Sequence, residues 1–432
     1  MNAIILSIGD ELTLGQTIDT NSAWLSQQLA AVGCDIVEHI TIPDSQSAIE
    51  EAIKVAAPRC DYLIISGGLG PTEDDLTRQA LTAVLNVPLE LNQPALAHLE
   101  TFWTRRGQSM PPSNAIQAMI PRGTTMIKNT AGTAPGIAAS ISASALRAFV
   151  PACLRASATT IYIMPGVPKE MKTMFTGDIL PEIAKQGGGA TILSRTLHTF
   201  GLGESTIAEK LGPLMNRTRN PSVGTTVANG YVSLRLNARF ATREQAEKEI
   251  DQAETLCRVA LGDLIFGQDN DTLPQVVARF LLEQKKTVTT AESCTGGLLA
   301  KYLTDLPGSS AYFQFGWVTY ANEAKQSQLG VRAETLAEHG AVSEQVVEEM
   351  AKGALERSNA NYALAISGIA GPDGGTASKP VGTVCIGLAS SDGISIARTF
   401  QLFGDREMIR DRSAKMALTM LRYQLFGKSL RF

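Results

Sequence analysis

Histidine is scarce in this chain: His39, His98, His198 and His339 are all there are. A reaction that needs a general base must mostly look elsewhere. The six cysteines, Cys34, Cys60, Cys153, Cys257, Cys294 and Cys385, are scattered and form no Cys-x-x-Cys pair. That pattern argues against a zinc site and a disulfide scaffold, and fits reduced thiols in a cytosol. Basic charge is not in excess, with 38 Lys and Arg against 42 Asp and Glu. Direct nucleic-acid binding, which needs a concentrated basic surface, is therefore not expected unless a local patch supplies it. Long apolar runs are also missing. The most apolar later stretch, Ala134 to Leu154, is broken by Pro135, several serines and Arg147, whereas a membrane helix needs about 20 uniformly apolar residues. Met1 to Gly9 lacks a basic n-region and reads as a first strand rather than a signal peptide. No membrane association is expected, and the expected location is the cytoplasm. What is present is ordinary globular material: 432 residues, 44% hydrophobic and 19% charged. That length allows about three domains, each able to bury its own core.

Ala3 to Ile8 is a continuous apolar run of the kind buried on both faces of a parallel sheet. Helical spacing over Asn21–Val32, strand character over Asp35–Ile42, a helix over Gln46–Ala57 and a strand at Tyr62–Ser66 then alternate. The alternation predicts a doubly wound α/β sheet with ligand loops after Ile8 and Ser66. Beyond Met171 the pattern changes to a small α+β module, with strands at Thr196–Phe200, Val223–Val227 and Tyr231–Arg239 and helices at Glu204–Met215 and Arg243–Leu261. Gly262 to Pro274 is polar and turn-rich and reads as a linker. A last α/β domain follows, with a strand at Thr287–Ala291, a turn at Ser293, a helix from about Gly296, four further strands and a closing helix from about Asp405. The expected domains are residues 1–172, 173–265 and 266–432.

In that last domain Ser293 falls on a strand-to-helix turn, near the first amides of a helix. Those amides carry partial positive charge and are expected to hold an oxyanion. Thr295, Gly296 and Gly297 let a ligand approach the backbone. A serine needs a base. His339, beside Gly340, reads as a helix-end residue, which leaves Lys325 as the candidate, provided burial lowers its pKa. Read by itself, a lysine after a strand is a solvated surface group. Cys294 is the rival nucleophile, since a helix start can depress a thiol pKa.

The runs Ala291–Gly297, Val318-Thr319-Tyr320-Ala321-Asn322 with Lys325, His339–Ser343, Ser367–Pro372 and Gly404-Asp405-Arg406 resemble, in order, the C-terminal domain of the CinA family (competence/damage-inducible protein A). The resemblance implies a nicotinamide mononucleotide deamidase that needs no cofactor, with Ser293 as nucleophile, Lys325 as base and Tyr320 assisting. The family usually has threonine where this chain has Ser367, and serine keeps the hydroxyl for substrate or oxyanion. Gly368, Ala370 and Gly371 belong to a glycine-rich run that can offer amides to the substrate phosphate. Arg406 and Arg410 are expected to add charge-assisted hydrogen bonds to it. The alternatives are an ordinary loop for the former and an exposed helix start for the latter.

The N-terminal run Ser66–Thr77 follows a buried strand and opens a helix. Gly67, Gly68, Gly70, Thr72 and Thr77 suit a phosphate, and Asp74 and Asp75 suit a divalent metal, or else cap the helix. Together with Gly9–Leu12 (including Glu11), Gly15-Gln16, Asn21, Gly132-Thr133-Ala134-Pro135-Gly136 and Pro165-Gly166 through Met171, this run resembles the molybdopterin-binding fold and the N-terminal half of CinA. The resemblance implies a Mg- or Co-dependent ADP-ribose pyrophosphatase that releases AMP and ribose 5-phosphate. The segment Gly136–Pro165 is longer than the family leads one to expect, and is alanine- and serine-rich. It lies between two ligand loops, so binding without efficient hydrolysis stays open. The middle module resembles the family's KH-like domain and lacks a Gly-x-x-Gly clamp; a spacer and dimer-contact role in a homodimer is expected. The leading reading is an enzyme of pyridine-nucleotide salvage. The alternative is a non-enzymatic scaffold linked to competence or DNA damage.

Overall fold

The first sheet is built on apolar strands that have no polar face to spare. In the computed structural model, which describes residues 1–146, 158–186, 191–228 and 230–428, β1 (Asn2–Ile8) is flanked by β2 (Asp35–Ile42) and β3 (Tyr62–Ser66), all parallel. A short hairpin-like pair, β4 (Leu89–Leu91) and β5 (Met119–Pro121), stands apart. Then β6 (Thr125–Ile127), β7 (Gly136–Ile141) and β8 (Thr159–Met164) complete a six-stranded sheet of order β2-β1-β3-β8-β7-β6. Every residue of β3 is buried, because helices cover both faces. The two ends of the Gly136–Pro165 segment are thus the antiparallel pair β7–β8. Residues 147–157 within it, including Cys153, lie outside the described residues.

The middle module is an antiparallel sheet of β9 (Thr191–Thr199), β10 (Ser222–Ala228), β11 (Tyr231–Phe240) and β12 (Ile265–Gln268), ordered β10-β11-β9-β12. Part of the expected linker is therefore a strand. The apolar Ile265 and Phe266 are buried, and β12 pairs with β9. Polar turn residues on both sides of the strand masked so short an apolar pair in the sequence.

The last sheet has the order β14-β13-β15-β16-β17, from β13 (Val288–Glu292), β14 (Phe313–Val318), β15 (Tyr362–Gly368), β16 (Thr383–Ser390) and β17 (Ser395–Gln401). The strands β14, β13 and β15 are parallel, so their carboxyl ends open on one edge. The Arg406–Leu425 helix is buried along most of its length and packs under this sheet. By contact density the chain forms two compact units, residues 1–194 with 238–249, and residues 195–237 with 250–432. Among the described residues no helix is long and apolar enough to cross a membrane.

Candidate active sites

Ser293 is the residue after β13, and its amide donates to the Ile366 carbonyl of β15 (2.9 Å), which pins the turn to the sheet edge. Gly296 (φ 59°) and Gly297 (φ 92°) then take left-handed backbone, where a side chain would be strained. They turn the chain into the helix Leu298–Thr304. Lys325 sits on the helix Asn322–Leu329, which follows β14, and only 1% of it is exposed. Its Nζ lies 3.3 Å from Ser293 Oγ, 3.0 Å from the Thr319 carbonyl and 3.1 Å from the Tyr320 carbonyl. Burial, the largest cause, lowers the Lys325 pKa. The two carbonyls can only accept. A neutral amine therefore spends both N–H groups on them and turns its lone pair to the serine hydroxyl.

Burial acts on Cys294 in the opposite sense. The thiol is pushed up to about 12 by burial, with the nearby Glu292 charge adding to the effect. The expectation of a depressed thiol at a helix start is therefore overturned. The Leu298–Thr304 helix also does not offer its first amides to an oxyanion. Glu292, fully buried, accepts from the amides of Gly297 (3.1 Å), Leu299 (3.0 Å) and Ala300 (2.8 Å). The amides of Cys294 and Thr295 donate to no carbonyl among the described residues.

Arg410, expected at a phosphate, instead donates through Nε to the Cys294 carbonyl (3.1 Å) and through Nη2 to the Thr295 carbonyl (2.6 Å). Because a trans peptide is planar, clamping the Cys294 carbonyl aims the Thr295 N–H the opposite way. Thr295 Oγ1 and Thr319 Oγ1 are buried without a partner among the described residues. Ser367, expected at the substrate, is buried and donates to the Ala341 carbonyl (2.7 Å), so its hydroxyl holds a neighbouring loop. Gly368 is packed so closely on β16 that a Cβ would lie 2.8 Å from Val384, and Ala370 is buried beside it. Arg406 donates to the Gly371 carbonyl (2.7 Å) and to the Tyr320 hydroxyl (3.3 Å), and Tyr320 is 61% exposed. Arg406 and Tyr320 thus form an accessible pair at the rim.

In the N-terminal unit the loops after β1, β3 and β8 line a cavity of about 420 Å³. Glu11, Gly67, Gly68, Gly70, Asp74, Asp75, Thr133, Pro165 and Gly166 all border it. Thr72 and Thr77 play a different part. Thr77 is buried, with its hydroxyl donating to the Gly67 carbonyl (3.0 Å), and Thr72 donates its amide to Asp75 (2.9 Å). Asp75 also accepts from the Gly70 amide (2.7 Å). Its carboxylate is therefore a stitch in the loop rather than a free metal ligand, and it does not cap the Thr77–Leu85 helix either. Gly132 donates its amide to Asn129 (2.9 Å), whose Nδ2 donates to Glu170 (2.6 Å).

Sequence reasoning gave no site role to Asp44 or Glu170, and named Asn21 only among the residues that carry the family resemblance. The first two border the same cavity, and Asn21 ties Ser66 Oγ to the Gly166 carbonyl. The signal for Glu170 was its place in the Pro165–Met171 run and that for Asn21 its place in the same resemblance; Asp44 carries no local pattern. Five carboxylates and no lysine or arginine border the cavity among the described residues. Burial, followed by the charges of Asp10, Glu11 and Asp74, raises the Asp44 carboxyl. That donor set fits a divalent cation better than an anion, which would meet the carboxylates' negative charge. No group of three or more His, Cys, Asp or Glu among the described residues is arranged in advance to hold a metal by itself.

The fold and these sites define a three-part α/β protein with a molybdopterin-binding-like N-terminal part, a KH-like middle and a C-terminal domain built around the Ser293 turn. Family models match each part: "Probable molybdopterin binding domain" over residues 4–185, the damage-inducible protein CinA KH domain over 194–267, and the CinA C-terminal domain over 270–425. A relative from Symbiobacterium thermophilum named competence-damage inducible protein is 43% identical, with 99% of each chain covered. One of the same name from Caldanaerobacter subterraneus is 38% identical over all of both chains. The chain belongs to the CinA, or competence-damage inducible protein, family. Among solved structures, a CinA superfamily protein from Klebsiella pneumoniae is 41% identical, covering 36% of this chain and 96% of its own, with a TM-score of 0.35.

Proposed function

We propose that the chain is a nicotinamide mononucleotide amidohydrolase whose nucleophile is Ser293 and whose base is Lys325. The observation that carries this reading is the buried Lys325 Nζ, 3.3 Å from Ser293 Oγ, with its other two contacts made to carbonyls. In the proposed reaction Ser293 gives its proton to Lys325 as Oγ bonds to the carboxamide carbon. The tetrahedral oxyanion takes hydrogen bonds from the Thr295 turn. Lys325 returns the proton to the departing nitrogen, so ammonia leaves and an ester to Ser293 remains. Water, deprotonated by Lys325, hydrolyses the ester to nicotinate mononucleotide. Arg406 and Tyr320, exposed at the rim, suit the phosphate-bearing end. Ammonia release by the full chain tests this: wild type active, with Ser293→Ala and Lys325→Ala inactive. No ammonia from well-folded wild type would favour a scaffold instead.

A second reading concerns the N-terminal cavity and is favoured by its carboxylate lining. We propose hydrolysis of ADP-ribose to AMP and ribose 5-phosphate there. A divalent cation such as Mg²⁺ or Co²⁺, carried in on the diphosphate and attracted by the carboxylates of Glu11, Asp44, Asp74 and Glu170, would neutralise the diphosphate. The loop amides that Asp75 leaves free, and the Thr133 and Gly166 backbone, would orient it. Full-length protein with ADP-ribose and either metal should form AMP; none under any divalent metal ends this reading.

A further inference from the structure

We infer that Glu292 is the positioning residue of the nucleophile turn, holding the helix start so that the Thr295 amide, rather than the helix, receives the oxyanion. The inference rests on the amidohydrolase reading above. Glu292 is the last residue of β13 and is completely buried. A buried carboxylate is costly unless its charge is met by hydrogen bonds or a cation. Among the described residues it forms no ion pair with a lysine, arginine or histidine. It takes three backbone amides instead, those of Gly297, Leu299 and Ala300, where the helix carries its partial positive charge.

An ordinary helix cap is a short polar residue at the N-cap itself, accepting from two or three residues on. Here the N-cap is Gly297 and gives no side chain, and the acceptor reaches forward from the preceding strand. The carboxylate thus joins the strand end to the helix start and closes a ring around Ser293, Cys294, Thr295 and Gly296. Within that ring the Ser293 amide goes to Ile366, the Gly296 amide goes to the Ser293 carbonyl, and Arg410 takes the Cys294 and Thr295 carbonyls. The Cys294 and Thr295 amides are left over, and of the two it is the Thr295 N–H whose peptide carbonyl Arg410 holds. Without Glu292 the freed helix amides compete for the oxyanion at a different place, and the turn keeps Arg410 but loses its anchor on the helix side. Glu292 touches no substrate, so its loss should appear in kcat and not in binding.

The test compares wild type, Glu292→Gln and Glu292→Asp in ammonia release and in thermal unfolding. Glutamine keeps the shape but presents one acceptor and an N–H to three donors. Its kcat should fall about 10- to 100-fold, with KM changed less than about threefold. Aspartate keeps the charge with a shorter reach and should recover part of the loss. The ascending limb of the pH profile, set by Lys325, should not move in either variant. Wild-type kcat in Glu292→Gln overturns the inference, as does a rise in KM alone. A loss that merely tracks the unfolded fraction, or failure of both variants to fold, assigns Glu292 to stability only and also overturns it. If wild type itself releases no ammonia, the amidohydrolase reading fails separately. The amide resonances of Gly297, Leu299 and Ala300 then decide: unchanged shifts in Glu292→Gln refute the positioning role, and shifts confined to the turn support it.

Discussion

The two units each turn a strand into a glycine-rich loop, and each holds that loop by the same pair of devices. In the N-terminal unit Asp75 accepts the Gly70 and Thr72 amides, while the buried Arg78 donates to the Leu69 and Gly70 carbonyls (2.7 Å each). In the C-terminal unit Glu292 accepts the helix-start amides and Arg410 donates to the Cys294 and Thr295 carbonyls. An acid on the amides and an arginine on the carbonyls fix which peptide groups stay free. The difference lies in what the loop then faces. The C-terminal turn carries a hydroxyl against a buried amine. The N-terminal loop faces carboxylates, so the chemistry proposed there would draw on a cation from solution.

The sharpest way to break this comparison is to disable one site and read both. Ser293→Ala and Lys325→Ala should each lower ammonia release by at least roughly a thousandfold, leave AMP formation from ADP-ribose unchanged, and contrast with Cys294→Ala, which should stay within several-fold of wild type. Removing divalent metal with a chelator should do the reverse, lowering AMP formation by about a hundredfold or more and leaving ammonia release intact. Loss of both activities in either experiment would mean the sites are not separate. Smaller effects should sharpen the likeness of the two loops. Arg410→Lys and Arg78→Lys replace a two-point fork by a single charge, and each should cost about tenfold in the turnover of its own site, measured by steady-state kinetics.

The smallest effect is on stability. Burial lowers the Lys325 pKa from 10.5 in the folded chain. Between the lowered value and 10.5 the unfolded chain binds more protons, so stability should rise with pH through that window and be lost as pH falls. The unfolding free energy of wild type relative to Lys325→Met, followed against pH, should show that slope. The same ionisation should set the ascending limb of kcat/KM below 10.5, with activity growing as the amine loses its proton.

Much of the layout was legible in the sequence because strand and helix periods are local. The apolar run at Ala3–Ile8, the helix closed by Gly33 and the strand before Ser293 all follow from spacing and punctuation. The proximity of Ser293 and Lys325 was expected only through family resemblance; 32 residues of sequence separation hide it from any local pattern. Direction was least legible. Nothing in a sequence says whether Arg410 points at solvent or at two carbonyls, whether Asp75 faces a metal or its own loop, or that Ser367 spends its hydroxyl on Ala341. Those choices are made by tertiary packing. The strand β12 was hidden for a different reason, being two buried apolar residues among polar turn formers.

The central claim is that a buried neutral amine makes one particular alcohol reactive. Rapid acid quenching of the full chain during turnover of nicotinamide mononucleotide, followed by peptide mass mapping, tests it most directly. The account predicts an adduct with the mass of the substrate less ammonia on the peptide at Ser293, absent in both Ser293→Ala and Lys325→Ala. An adduct on Cys294, or undiminished turnover in Ser293→Ala, would contradict it.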